Sequence, residues 1–143
     1  MKKYMNMAWE LIGLMNRSVA CKANPNMMFA EELPMSIKLF VMKNFPNLAI
    51  AYVEKRKSPQ GDGYEVNLNN GTELYFNMNG NWYMIDCKSN ALPDSLVPMK
   101  ALDVIDRRFI NAQFVKIVKT NQGCDIVLSN GVIMKFDTKG EVA

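Results

Sequence analysis

The 143-residue chain contains no histidine. That removes the commonest general base, the commonest metal ligand and every nucleophile pair in which histidine activates serine or cysteine. Cysteine is scarce: Cys21, Cys87 and Cys124 are an odd number with no CxxC spacing, so no zinc site is expected. A Cys87–Cys124 disulfide stays open as an option in an oxidising compartment. Excess charge is small, with 17 basic against 14 acidic residues, net +3. The basic clusters Lys2-Lys3, Lys55-Arg56-Lys57 and Arg107-Arg108 form no stripe, so nucleic acid is not an expected partner. No apolar run reaches the ~20 residues that span a bilayer. Gly61-Asp62-Gly63 lacks the third glycine of a dinucleotide loop and lies between strands. Glu65, Glu73 and Asp125 fall on strands and are expected to face solvent, so no acid/base pair is nominated. The chain is therefore expected not to be an enzyme and to need no metal or cofactor.

What the chain does have is an internal copy. Gly63 to Trp82 reads as a β-hairpin leading into a third strand, and Gly123 to Val142 repeats it. The matches are Gly63/Gly123, Glu65/Asp125, Val66/Ile126, Leu68/Leu128, Asn70/Asn130, Gly71/Gly131, Phe76/Phe136 and Gly80/Gly140. Upstream, Leu33-Pro34 matches Val97-Pro98, Phe40-Val41 matches Val104-Ile105, Phe45 matches Phe109, and Val53 matches Ile117. The offset is 64 up to the first turn and 60 after it, so the second copy has four fewer residues in that one loop. An offset that changes once, inside a loop, is the mark of a tandem duplication. The expected units are residues 1–32 as a distinct N-terminal segment, 33–92 as repeat one and 93–143 as repeat two. Repeat one continues to Cys87 as a further strand that is expected to be short or missing in repeat two.

Within repeat one, Ile37, Phe40, Val41 and Phe45 make one apolar helical stripe after Pro34, and a strand follows from about Ala49 to Lys57. A three-residue loop Asn69-Asn70-Gly71, with Gly71 left-handed, pairs Leu68 with Thr72, Val66 with Leu74 and Tyr64 with Phe76. A two-residue loop would scramble the faces. The same loop at Met78-Asn79-Gly80 pairs Phe76 with Trp82 and Leu74 with Met84, and leaves Tyr75 opposite Tyr83 on the outer face. In repeat two the outer pairs are Val127–Ile133 and Asp125–Lys135, and inward-facing Cys124 is a structural thiol. The fold class is α+β: two tandem helix-plus-antiparallel-sheet repeats with the helices on one face of the sheet.

Residues 1–32 hold six of the twelve methionines. Met-Lys-Lys, an apolar-leaning run from Tyr4 to Met15 and small residues before Cys21 suit either a lipoprotein-like signal or an amphipathic helix with Met5, Ala8, Trp9, Ile12 and Met15 on one face.

Leu33-Pro34, Phe45-Pro46, the hairpin Tyr64 to Gly71, Phe76…Gly80-Asn81-Trp82, Asp86-Cys87-Lys88-Ser89, Leu92-Pro93 and the second copy Leu128 to Gly140 together resemble the PepSY-like, β-lactamase-inhibitor-like proteins of the Gram-negative cell envelope. The resemblance covers about residues 31 to 143 and departs from the family at Asn77, where an aspartate is common and is kept here as Asp137. It implies two α/β repeats, usually behind a signal peptide. It also implies a periplasmic or envelope location, or a cytoplasmic one if the N-terminal signal is not used. A lipid anchor at Cys21 follows only if that signal is functional. The function implied is a non-catalytic envelope protein, with protein inhibition as one form, that meets a protein partner through the open sheet face. The partner-contact candidates are Tyr75, Tyr83, Tyr52, Val127 and Ile133, since tyrosine offers rigid area and a hydroxyl. The alternative for Tyr75 and Tyr83 is a cross-strand pair that only stabilises the sheet. The alternative function is a small-ligand or ion-sensing periplasmic protein, for which Asn77 to Asn81 and Asp137 to Glu141 faintly resemble calcium loops.

Overall fold

The structure is a computed structural model that describes residues 25–57, 59, 61–108 and 111–143. The leader-like or helical reading of the chain up to residue 24, Cys21 included, lies outside the described residues, as do Phe109 and the side chains of Val104 and Ile105.

Helix α1 (Met35–Asn44) starts where Pro34, with φ −53°, caps the first turn by accepting from the Ile37 and Lys38 N–H groups through its carbonyl. Pro34 thus stands just before the helix. Ile37 and Val41 are one turn apart and buried, and Phe45 closes the helix by donating its N–H to the Val41 carbonyl at 2.8 Å. Phe40 sets its ring edge-on to Phe76, with centroids 5.4 Å apart. Helix α2 (Met99–Arg108) follows Pro98 in the same way, and its Ala101 is fully buried in the core.

The strands are β1 (Met27–Met28), β2 (Ile50–Arg56), β3 (Gly63–Leu68), β4 (Glu73–Asn77), β5 (Trp82–Asp86), β6 (Phe114–Thr120), β7 (Gly123–Leu128) and β8 (Ile133–Asp137). Among the described residues they form one antiparallel sheet in sequence order from β1 to β8. The two repeats are thus joined edge to edge, with Ile85 of β5 opposite Ile117 of β6. Val53, Val66, Leu74, Phe76, Ile85, Ile117 and Ile126 are at most 2% exposed and make a core that runs across this seam. Met28 of β1 joins that core, so the end of the 1–32 segment is part of the sheet.

The hairpin registers follow the turn argument. Tyr64 faces Phe76, Val66 faces Leu74, and the Leu68 N–H donates to the Thr72 carbonyl at 2.9 Å around a loop in which Gly71 has φ +93°. Asn70 Oδ1 accepts the Thr72 N–H at 3.0 Å, and Asn130 Oδ1 accepts that of Val132 at 3.0 Å, which is why both copies keep Asn-Gly here. Val127 opposite Ile133 and Asp125 opposite Lys135 are also found. Repeat two's last strand is a single bridge, Phe136 to Val142.

Two expectations fail. Phe76 does face Trp82, but a β-bulge between Tyr75 and Phe76 then places Tyr75 opposite Met84 and Leu74 opposite Ile85. The Leu74–Met84 pair and the direct Tyr75–Tyr83 register are therefore corrected. The bulge lets Ile85, fully buried, face the core in place of Met84. Glu65 does not face solvent freely: it is 6% exposed.

Candidate functional site

Strand alternation sends every second residue away from the Phe76–Ile126 core. On β2 and β3 these are Tyr52 opposite Asn67 and Glu54 opposite Glu65. On β4 they are Glu73 and Tyr75, with Asp86 facing Glu73 from β5. Past the seam, Lys116 faces Val127, which faces Ile133.

In the first half the charged groups form a continuous frame. Arg56 Nη1 donates to Glu65 Oε1 at 2.5 Å, and its guanidinium stands 5.4 Å from the centre of the Tyr75 ring. The Tyr75 hydroxyl donates to Glu73 Oε1 at 2.9 Å. Lys88 Nζ lies 3.3 Å from Glu73 Oε2 and 3.5 Å from Asp86 Oδ2. Lys88 is held there by a left-handed backbone, φ +59°, whose N–H donates to Asp86 Oδ1 at 2.9 Å. The Tyr83 ring leans on Tyr75, centroids 6.1 Å apart, so the two rings meet although their backbones are out of register.

Electrostatics follow from this layout. Burial, then the bond to Glu73, pushes the Tyr75 hydroxyl well above the usual tyrosine range. Tyr52 is raised by burial first and then by Glu65, Glu54 and Glu73, with Lys88 only partly opposing them. Tyr52 and Tyr83 remain 43% and 41% exposed.

The five residues singled out from sequence fall into two groups. Tyr52, Tyr75 and Tyr83 lie on the β2–β5 side. Val127 and Ile133 lie on the β7–β8 side, where Lys135 Nζ meets Asp125 Oδ2 at 3.2 Å and Ile133 is 59% exposed. Lys116 and Val118 of β6 stand between the groups. Sequence reasoning missed Arg56, Asn67 and Lys88 as members of this face and read Glu65 as solvent-facing. The β2–β3 register, which the sequence left unfixed, sets Glu54 opposite Glu65, a like-charge pair that is eased by a nearby cation.

The calcium-like loops are hairpin turns. Asn77 Oδ1 accepts the Asn79 and Asn81 N–H groups at 3.0 Å, and Asp137 Oδ1 accepts those of Lys139 and Glu141 at 2.9 Å. Among the described residues no three His, Cys, Asp or Glu side chains are grouped to hold a metal ion. Cys87 and Cys124 are free thiols. Burial pushes the Cys87 thiol up to about 11. Cys124, which faces Phe136 inward, occupies repeat two's counterpart of buried Tyr64. Beside it runs a groove of about 650 Å³ lined by Trp82, Val97, Pro98, Ile117 and Lys119, whose ammonium stands 4.0 Å from the centre of the Trp82 ring.

A family model described as "putative beta-lactamase-inhibitor-like, PepSY-like" matches the chain twice, over residues 18–76 and 62–143. Among curated proteins nothing matches. Among solved structures, a "putative calcium-regulated periplasmic protein" of Bacteroides thetaiotaomicron is similar with a TM-score of 0.76 at 24% identity, covering 82% of this chain and 93% of that one. At that identity the likeness shows the fold alone. A "putative periplasmic protein of unknown function" of Bacteroides vulgatus has a TM-score of 0.74 at 29% identity, covering 80% and 92%. A further "putative periplasmic protein" of the same species has a TM-score of 0.73 at 26% identity, covering 82% and 92%.

Proposed function

We propose that this chain, which belongs to the PepSY-like, β-lactamase-inhibitor-like family, is a non-catalytic binding protein of the cell envelope that takes a protein partner on the outer face of its sheet. The periplasmic descriptions of its structural neighbours support the location. The observation that carries the reading is the pair Tyr52 and Tyr83, two large side chains more than 40% exposed, beside an ion-paired frame that holds Tyr75 in place. Exposed aromatics on a rigid strand lose little entropy on contact. Helices packed on the opposite face would leave this face to a partner, an arrangement supported by Phe40 on Phe76 and by buried Ala101 in the same core. Inhibition is one form such binding takes.

The test is a crosslinking pull-down from the host's envelope fraction, comparing wild type with the Tyr75→Ala/Tyr83→Ala variant. A partner captured by the wild type and lost in the folded variant is expected. A partner retained by both would move the site elsewhere, and none at all would reject the protein-partner reading.

The second reading, small-ligand sensing, is favoured by the groove beside Cys124, where a thiol stands in place of a phenol ring and Trp82 with Lys119 forms one wall. A thermal-shift screen addresses it, since a ligand at about 100 times its dissociation constant adds roughly 2.7 kcal/mol to stability.

A further inference from the structure

The two repeats close differently at one place. In repeat one Tyr64 faces Phe76 and is 8% exposed. In repeat two Cys124 faces Phe136 at the same register position and is half-buried. A thiol leaves most of the volume of a phenol ring unfilled. The turn that lines the same groove is also looser. A Cβ on Gly80 would stand 2.5 Å from Ser36 Oγ of α1, whereas one on its counterpart Gly140 would meet nothing nearer than Pro98 Cβ at 3.5 Å. The groove of about 650 Å³ is bordered by Cys124, Gly140 and Pro98 together, and its size is that of a small-molecule site.

The groove stands at the seam of the duplication, since Trp82 comes from repeat one and its other walls from repeat two. Most charges around it are already matched. Lys100 is ion-paired with Glu141, Asp125 beside Cys124 is paired with Lys135, and Asp137 gives Oδ1 to the N–H groups of Lys139 and Glu141. Lys119 is different. It faces Cys124 across the strands and makes no ion pair among the described residues, its ammonium standing over the Trp82 ring. A ring face accepts no N–H bond of the charge-assisted kind that a carboxylate accepts. With Lys100 and Glu141 offsetting each other, Lys119 and Lys139 stand against Asp137, one positive charge in excess. The first residues of α2, Met99 and Lys100, border the groove as well, and that end of a helix favours an anion.

Resting on the ligand reading of this groove, we propose that it takes a small aromatic carboxylate. The ring of the ligand fills the space beside Cys124 that a phenol ring fills in repeat one, against Trp82 and Ile117. Its carboxylate accepts from Lys119 Nζ.

The experiment titrates the isotope-labelled full chain with 3-phenylpropionate and, in parallel, with 3-phenylpropionamide, following the Trp82 indole N–H by NMR. The acid is expected to shift that resonance and to shield Cys124, but not Cys87, from iodoacetamide, as read by peptide mapping. The amide keeps the ring without the charge and is expected to bind about fivefold more weakly, the ratio for losing a partly exposed ion pair. Lys119→Met is expected to bind acid and amide alike. Cys124→Tyr restores the arrangement of repeat one, so it is expected to melt no lower than wild type and to bind neither. Equal binding of acid and amide by the wild type overturns the anionic class and leaves the groove as a ligand site. Binding of the acid by folded Cys124→Tyr, or binding without shielding of Cys124, overturns the placement, and the shielding keeps it refutable whether or not that variant folds. If neither probe binds, the inference falls. The ligand reading of the groove falls with it only if every ligand found in the thermal-shift screen still binds Cys124→Tyr.

Discussion

Replacing Arg56 by methionine keeps the aliphatic stem and removes the guanidinium. Glu65, whose side chain is 8% exposed, then loses the donor 2.5 Å away. A hydrogen bond to a charged group contributes about 1.5–3 kcal/mol. The guanidinium over Tyr75 at 5.4 Å adds about 0.5 kcal/mol at an exposed site. Because the Arg56 side chain is itself 50% exposed, water screens the pair and the lower part of that range applies. Arg56→Met should therefore cost about 2 kcal/mol, a fall in Tm on the order of 8 °C for a chain of this size. Glu65→Gln alone should cost about 1 kcal/mol, because the amide oxygen still accepts from Arg56. In the double variant no buried carboxylate is left alone, so its cost should fall short of the sum by about 1 kcal/mol. Urea unfolding of all four proteins measures this coupling. A cost under about 0.5 kcal/mol for Arg56→Met, with additive effects in the double variant, would refute the reasoning and make the pair an ordinary surface contact.

Gly123 and Gly131 both have positive φ, but a Cβ on Gly123 would sit 1.8 Å from the Phe136 carbonyl oxygen, whereas one on Gly131 meets nothing within 4 Å. Gly131→Ala should cost about 1 kcal/mol and Gly123→Ala several times that, by denaturant unfolding. Between pH 9 and 11 the Cys87 thiol stays protonated in the folded chain and ionises in the unfolded one, so stability should fall as pH rises through that window, by up to about 3 kcal/mol. Cys87→Ala should flatten that slope, measured against the wild type at each pH. In the native protein a thiol reagent should modify half-buried Cys124 before Cys87, which is 1% exposed, as peptide mapping would read out. Phe76→Ala, at a fully buried ring in edge contact with Phe40, should cost about 3–5 kcal/mol by the same unfolding assay.

The amino-acid order alone determined what depends on near neighbours. The copied Asn-Gly turns set a three-residue loop, and that loop with period-two alternation set the β3–β4 and β7–β8 registers and the outer pairs Val127–Ile133 and Asp125–Lys135. Tyr83 was read as an outer-face residue from a direct pairing with Tyr75 that the bulge removes, and Tyr52 was named without a fixed register; both are nonetheless exposed. What the tertiary structure decided involves partners far along the chain. The bulge after Tyr75 puts Ile85 rather than Met84 in the core, on a strand that also pairs with β6. Glu65 is buried because Arg56 of the neighbouring strand reaches over it, and Lys88 reaches Glu73 only through a left-handed turn after β5. Asn67 reads in sequence as one more polar strand residue. That its amide is buried and without a hydrogen-bond partner among the described residues appears only in the folded sheet, and no local pattern encodes it.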